Sequence, residues 1–411
     1  MPRRPGPATI WLMMCATALM ACSAPDAPGA AAASGAPVPG PSQWASDVPV
    51  VQEPADPTPI PAQTPSCIDQ LPLDVRIGQT MLVTTTDIPR VQRWLDDGLI
   101  AGLMSSGVLT PQLAGALERS TYGTQYGALL ATDEEGGEVQ RYREVVGYVP
   151  SAREQALTMT TKQVQALYRR HGEGLSDWGV DMVLAPVVDV GSGPGIGSRS
   201  YSEDPAVVSK YATAAARGYA EAGLVPVLKH FPGHGTAGAD THYGVAVGPP
   251  IEQLRSSDLL PFTTLPDQVE VGIMVGHTTI PGFSETPASQ SRAVIQGLLV
   301  EELGFEGLIV SDALGMAASG TEDQGEALVG FLAAGGDLGI IGPGGSVQGR
   351  RAVRAALADG SLDEERLNDA AAAVLAAKGV DSCSVAGGED PIVDDRQSPP
   401  DPAVINPTES S

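Results

Sequence analysis

The chain has 411 residues, of which 42% are hydrophobic and 18% charged, and its formal net charge is −25. So acidic a surface repels nucleic acid and anionic membrane faces, and we therefore expect no nucleic-acid partner. The sequence contains no internal repeat and no helix-turn-helix or zinc-finger pattern. Its length suits one large domain, which we expect to be a monomer.

The first 21 residues resemble a bacterial lipoprotein signal. Arg3 and Arg4 precede an apolar stretch over residues 8–19 that is too short for a membrane span, and the sequence LMAC ending at Cys22 resembles a lipobox. The resemblance implies export, cleavage before Cys22 and lipidation of that cysteine. The protein is then anchored to the outer face of the cytoplasmic membrane or the cell envelope. An ordinary secretory signal with a chance cysteine is the alternative.

Composition divides the rest of the chain into three parts. Residues 22–65 are mostly Ala, Pro, Gly and Ser and cannot bury a core, so we predict that they form a disordered tether. We predict that residues 386–411 form a short disordered tail. The remaining residues, 66–385, are long enough to form the folded domain. Cys67 and Cys383 lie at its two edges, and in an exported protein this predicts a disulfide that joins its ends. Two free buried thiols are the alternative.

Short apolar runs alternate with longer amphipathic stretches along the domain. Eight such runs with helical patterns between them predict a (β/α)₈ TIM-type barrel, and a doubly wound open sheet is the alternative. Two helical patterns, 347–358 and 363–378, follow the eighth run. The predicted strands are 80–83, 100–104, 128–131, 181–184, 225–228, 271–275, 307–310 and 337–341, and the helical patterns between them include 162–178, 206–222, 292–303 and 326–334.

The segment 228–245, LKHFPGHGTAGADTHYGV, places one lysine and three of the five histidines directly after the fifth predicted strand. Asp240 is two residues from His242, so its carboxylate can fix the tautomer of that imidazole and raise its basicity. Such a pair predicts a general acid/base. Turn residues that satisfy local backbone groups are one alternative. A metal site of His230, His234 and His242 is another, although no obvious carboxylates or cysteines complete it, and we expect neither metal nor cofactor.

Polar residues follow the other predicted strands as well, where a barrel has its catalytic rim. Asp133 follows the third strand, Asp189 and Arg199 follow the fourth, and His277 follows the sixth. Asp312 ends the seventh, where desolvating a carboxylate is costly unless its charge is used or paired. With His242 nearby it can attack an anomeric carbon while the imidazole protonates the leaving oxygen. An N-cap for the following helix is the alternative.

Four motifs make the chain resemble glycoside hydrolase family 3, and more closely its bacterial β-N-acetylglucosaminidase branch with a His-Asp dyad. They are KHFPGHG followed by DTH, ATDEEGGEVQR at 131–141, IGSRSYSEDP at 196–205 and GFEGLIVSDALGM at 304–316. Two departures are Thr241, where the family often has serine, and Ala313, where a second acidic residue is common. The resemblance implies that Asp312 is the nucleophile and that His242 is the general acid/base, oriented by Asp240. It also implies that five residues bind sugar hydroxyls: Asp133, Arg141, Arg199, Lys229 and His230. The resemblance covers His277 as well, which we predict to bind substrate.

The resemblance and the lipoprotein signal together imply a retaining exo-β-N-acetylglucosaminidase. We expect it to release terminal N-acetylglucosamine from peptidoglycan fragments, through a covalent glycosyl-aspartate intermediate, in cell-wall turnover or recycling. A β-N-acetylglucosaminide phosphorylase and a β-glucosidase are alternatives on the same barrel. A non-catalytic wall-binding lipoprotein is the third alternative.

Overall fold

The computed structural model describes residues 67–241, 244 and 246–388. The predicted lipoprotein signal, Cys22 and the tether lie outside these residues, as do His242 and all but the first three residues of the predicted tail. Within the described residues, no helix is both long enough and apolar enough to cross a membrane.

Eight parallel strands follow one another around a barrel in chain order. Neighbouring strands pair in parallel from the first to the seventh, and the eighth pairs with the first. A parallel bridge between Val310 and Leu338 links the seventh strand to the start of the eighth and closes the ring. The strands are β1 Met81–Thr84, β2 Gly102–Met104, β3 Leu129–Thr132, β4 Met182–Val183, β5 Val225–Phe231, β6 Gly272–Val275, β7 Ile309–Ser311 and β8 Gly339–Ile341.

The predicted barrel is confirmed, because each of the eight predicted strands overlaps an observed one. Their side chains are buried on both faces, inside against the barrel core and outside against helices, which explains the unbroken apolar runs. Strand β5 is longer than predicted and includes Lys229 and His230. It continues because the carbonyl of Lys229 accepts from the amide of Val188, and the amide of Lys229 donates to the carbonyl of Pro186.

Helices surround the strands and include all six predicted patterns. The predicted helix 292–303 is a π-helix, Ala293–Glu302, after which the amide of Leu303 donates to the carbonyl five residues earlier. The α-helices are α1 Leu73–Gln79, α2 Ile88–Asp96, α3 Pro111–Thr121, α4 Arg143–Val146, α5 Ala152–Thr158, α6 Thr161–Ser176, α7 Pro205–Glu221, α8 Ile251–Ser256, α9 Leu260–Thr264, α10 Gln324–Ala334, α11 Pro343–Asp359, α12 Glu364–Ala377 and α13 Ser382–Ala386.

A disulfide joins Cys67 to Cys383, as the sequence predicts, and links two residues 316 positions apart. The amide of Cys67 also donates to the hydroxyl of Ser382. Because Cys67 precedes α1 and β1, this link lies at the end of the barrel where strands begin. It covers a small apolar cluster that includes Ile68, Leu375 and Val385.

Candidate active site

A cleft opens at the end of the barrel where strands finish. Six residues that the sequence singles out line it: Arg199, His230, His234, Asp240, His277 and Asp312. These residues come from loops and strand ends far apart in the chain, and the barrel brings them together.

Lys229 lies at the centre of a buried charge cluster beside this cleft. Its Nζ is 2.7 Å from Oδ1 of Asp133 and 2.7 Å from Oε1 of Glu135. Arg199 approaches Glu135 with two nitrogens, Nε 2.7 Å from Oε2 and Nη2 2.8 Å from Oε1, while Nη2 of Arg141 is 3.2 Å from Oδ2 of Asp133. We call Asp133, Glu135, Arg141, Arg199 and Lys229 the charge cluster.

The electrostatics of the charge cluster favour full ionisation. Burial raises the pKa of Glu135, but Arg199 and Lys229 outweigh it and hold that pKa at about 2. Burial likewise raises the pKa of Asp133, and Lys229 and Arg141 bring it below its usual range. Burial lowers the pKa of Lys229, and the two carboxylates raise it above its usual value. The cluster therefore presents charged donors and acceptors near neutral pH.

A short hairpin after β3 positions the carboxylates of the charge cluster. Its strands are Glu134–Gly136 and Val139–Gln140, and Oε1 of Glu134 accepts from the amides of Arg141 and Tyr142 at 2.6 Å each. Gly136 has φ +93°, and a Cβ added there would lie 2.4 Å from the carbonyl oxygen of Pro150. The glycine after Glu135 is thus required by close packing.

Asp189 holds the two histidines at the end of β5. Its side chain is fully buried, Oδ2 lies 2.7 Å from Nδ1 of His230, and Oδ1 accepts from the amide of His234 at 2.6 Å. Burial raises the pKa of Asp189, yet His230 and the His234 amide bring it below its usual range. The ionised carboxylate accepts a hydrogen bond from Nδ1 of His230. The other ring nitrogen, Nε2, then faces the cleft and lies 3.4 Å from Nη2 of Arg199.

Asp312 directly follows β7, and its carboxylate faces the cleft. Its amide donates to the carbonyl of Val275 at 2.9 Å, and its Oδ1 accepts from the amide of Ala313 at 2.7 Å. Burial raises its pKa, but the nearby His230 and His277 and the Ala313 amide keep it below its usual range. The N-cap alternative is wrong, because Asp323 caps α10 and accepts from the amides of Gly325 and Glu326.

His277 occupies a different setting from His230. Its side chain is buried, with Nδ1 2.7 Å from the hydroxyl of Ser289 and Nε2 3.1 Å from the carbonyl oxygen of Ala313. The sequence predicts a substrate-binding role for it. The structure places the ring at the wall of the cleft, directly beside the backbone that carries Asp312.

Asp240 also reaches the cleft, beside the loop that follows β4. An added Cβ at Gly195 would lie 2.9 Å from Cγ of Asp240, and the carbonyl of Gly195 accepts from Nη1 of Arg199 at 2.6 Å. His242 lies outside the described residues, so the dyad with Asp240 stays a prediction. Among the described residues, no group of three or more His, Cys, Asp or Glu side chains could hold a metal ion.

Sequence reasoning assigned no role to three buried groups at the site. Glu135 was visible only as part of the motif ATDEEGGEVQR, and Asp189 as a polar residue after the fourth strand. No sequence motif marked Asp258, which lies between α8 and α9. It is buried against Gly233, its oxygens lack a hydrogen bond within the described part of the chain, and burial and Asp189 raise its pKa to about 7.

Comparisons of the sequence with known proteins all identify the same family. Residues 72–377 match the model of the glycosyl hydrolase family 3 N-terminal domain. Beta-hexosaminidase LpqI of Mycobacterium tuberculosis is 39% identical over 350 residues, covering 81% of this chain and 87% of that protein. A beta-hexosaminidase of Stenotrophomonas maltophilia is 36% identical over 252 residues, 58% of this chain and 74% of that protein.

Solved structures are similar as well. A family 3 glycosyl hydrolase from Mycobacterium smegmatis has a TM-score of 0.73 and 35% identity, covering 76% of this chain and 98% of that chain. A family 3 β-N-acetylglucosaminidase from Paenibacillus has a TM-score of 0.70 and 27% identity, covering 79% of this chain and 67% of that chain.

Proposed function

We propose that this chain, which belongs to glycoside hydrolase family 3, is a β-N-acetylhexosaminidase that removes a terminal β-linked N-acetylglucosamine with retention of configuration. The observation that carries the proposal is Asp312, a carboxylate held ionised in the cleft beside the charge cluster. The names of the similar proteins, beta-hexosaminidase and β-N-acetylglucosaminidase, support the substrate class.

The reaction proceeds in two displacements at the anomeric carbon. In the first, an oxygen of Asp312 forms a bond to that carbon as the glycosidic bond breaks, and the leaving oxygen takes a proton from His242. In the second, water attacks the same carbon, gives a proton back to His242 and releases Asp312. Two inversions at one carbon leave the configuration unchanged, so the product is the β-anomer.

The charge cluster binds the hydroxyls of the terminal sugar. Asp133 accepts hydrogen bonds from hydroxyls, while Arg141 and Lys229 donate to them. His230 accepts at Nε2, because Asp189 accepts from its Nδ1. These groups are preorganised by their ion pairs, so they need little rearrangement as the sugar moves toward an oxocarbenium-like transition state.

The proposed natural substrates are peptidoglycan fragments, met at the cell surface by a protein anchored through a lipid on Cys22. Arg3, Arg4 and the sequence LMAC support the anchor. In cells, a Cys22→Ser variant tests it, because unlipidated protein should leave the membrane fraction. Membrane retention of that variant would contradict the anchor and leave the enzymatic proposal intact.

The enzymatic proposal is tested with a chromogenic β-N-acetylglucosaminide and the matching β-glucoside, each with and without added phosphate. Preference for the N-acetyl sugar in water alone supports the hydrolase, and the product's anomeric configuration, followed by NMR, reports retention. Sugar phosphate as product would instead mean phosphorolysis, and preference for the glucoside would mean a β-glucosidase. No turnover of either sugar would favour the wall-binding alternative.

Asp312→Ala is the decisive variant, and we expect it to lower kcat by about 10⁴-fold or more. Asp323→Ala is the matched control, because that carboxylate caps α10 and does not line the cleft. It should lose about 1 kcal/mol of stability and keep its activity. Turnover by Asp312→Ala at the wild-type rate would overturn the assignment of the nucleophile.

A further inference from the structure

We propose that His277 and Ser289 are positioning residues for the nucleophile: His277 holds the backbone that carries Asp312, and Ser289 holds His277. This inference rests on the proposed function, since it takes Asp312 as the attacking group. It differs from the sequence-based expectation that His277 binds the substrate.

The contacts of Ala313 carry the argument, because both of its backbone groups are committed. Its amide donates to Oδ1 of Asp312 at 2.7 Å. Its carbonyl oxygen accepts from Nε2 of His277 at 3.1 Å and from the amide of Met316 at 3.0 Å. The conformation of Ala313 decides where its amide points, and that amide fixes one oxygen of the nucleophile. A donor to the Ala313 carbonyl therefore influences the position of the Asp312 carboxylate.

Among the described residues, two groups donate to that carbonyl, and of these His277 comes from outside the loop that carries Asp312. Met316 lies three residues further along the same loop, whereas His277 lies two residues past the end of β6. The amide of Asp312 donates to the carbonyl of Val275, also on β6. Two contacts thus tie the nucleophile to the neighbouring strand, one before and one after the reacting side chain.

The tautomer of His277 follows from its partners. A backbone carbonyl only accepts hydrogen bonds, so Nε2 carries the proton that points at Ala313. Nδ1 faces the hydroxyl of Ser289 at 2.7 Å, and in the neutral ring that hydroxyl donates to it. Ser289 is fully buried, and its amide donates to the carbonyl of Gly276, so its hydroxyl is well placed to hold the ring.

His230, which we propose to bind the sugar, has different contacts from His277 in the same cleft. His230 is paired with a carboxylate on Nδ1, and its Nε2 lies near Arg199 in the cleft. Both nitrogens of His277 instead contact groups of the protein scaffold. His230 and His277 thus line the same cleft with different partners: His230 faces the sugar and His277 faces the backbone of the nucleophile.

Two substitutions at His277 separate positioning from sugar binding. His277→Leu removes the donor, whereas His277→Gln keeps an N–H at the place of Nε2. We expect His277→Leu to lower kcat by about 100-fold, as for a small misplacement of a reacting group, and His277→Gln to recover at least about tenfold of that loss. Inhibition by free N-acetylglucosamine should stay within about threefold of wild type in both. A weakened inhibitor with unchanged kcat would overturn the proposal in favour of sugar binding.

Ser289→Ala provides the second test, with Ser291→Ala as its matched control. Both serines are buried, but the hydroxyl of Ser291 accepts from the hydroxyl of Ser284 at 2.8 Å, whereas the hydroxyl of Ser289 contacts Nδ1 of His277. We expect kcat to fall in Ser289→Ala and to stay at the wild-type value in Ser291→Ala. Equal kcat for the two variants, with equal melting temperatures, would overturn the role of Ser289.

Covalent trapping distinguishes failure of this inference from failure of the proposed function. A slow fluorinated N-acetylglucosaminide analogue should label Asp312 in the wild type, read by mass spectrometry of the peptide. Label on another residue would refute the nucleophile itself. Label on Asp312 at the same rate in wild type and His277→Leu would leave the nucleophile in place and refute positioning by His277.

Discussion

Glu135 and Arg199 form a two-point ion pair across the site, with nitrogen–oxygen distances of 2.7 and 2.8 Å between residues 64 positions apart in the chain. The pair links the hairpin after β3 to the loop after β4, and Lys229 joins it from β5. Glu135 is 4% exposed, so its charge depends on these two cations. The positions of two proposed sugar-binding side chains, Arg199 and Lys229, are thereby tied to one carboxylate.

Replacing Glu135 should therefore damage both catalysis and stability. Glu135→Gln leaves Arg199 and Lys229 with one buried carboxylate fewer, and we expect it to cost about 3 kcal/mol of unfolding free energy and about 100-fold in kcat/KM. Urea unfolding and kinetics on a chromogenic substrate measure the two effects. Glu203→Gln, which breaks an exposed pair with Arg153, is the control and should leave both unchanged. Wild-type kcat/KM in Glu135→Gln would contradict the proposed role of the cluster.

The same carboxylate makes the fold sensitive to acid. The pKa of Glu135 is about 2 in the folded protein against an ordinary 4.5, so its stabilisation is complete above about pH 4.5 and is lost as pH falls toward 2. Urea midpoints measured from pH 6 down to pH 2.5 should fall more steeply in wild type than in Glu135→Gln. Parallel curves for the two proteins would show that Glu135 titrates normally.

Asp258 should make the stability of the fold depend on pH in the opposite direction. Its folded-state pKa is raised to about 7 from 3.8, so the folded protein holds a proton that the unfolded chain has already released. The contribution of Asp258 to the free energy of unfolding therefore falls as pH rises from about 4 to 7. Asp258→Asn should raise the melting temperature relative to wild type at pH 8 and change it little at pH 4. A larger gain at pH 4 than at pH 8 would contradict the raised pKa.

The disulfide should matter for stability and not for turnover. Cys67→Ser with Cys383→Ser removes a link at the end of the barrel opposite the cleft, and we expect a loss of about 2–5 kcal/mol in unfolding free energy. The kcat at 25 °C should stay at the wild-type value. Thermal unfolding and steady-state kinetics check the two statements, and a fall in kcat without loss of fold would show coupling between the two ends.

The sequence by itself determined the barrel and the order of its rim residues. Each buried strand appears as a short apolar run, because both its faces are covered, and helical periodicity separates the runs. Since active sites in this fold lie past the strand ends, Asp133, Lys229 and Asp312 were predictable from position. The pairing of Cys67 with Cys383 followed from their places at the domain edges.

Only the tertiary structure decided which of those groups contact one another. Local pattern does not encode that Glu135 meets Arg199, or that Asp189 meets His230 41 residues later, because such ion pairs form only when the barrel closes. The same closure brings Asp258 under Gly233 and sets His277 against the backbone of Ala313. Burial and these long-range contacts set the pKa values and tautomers, so the chemistry of each rim residue depends on neighbours from other strands.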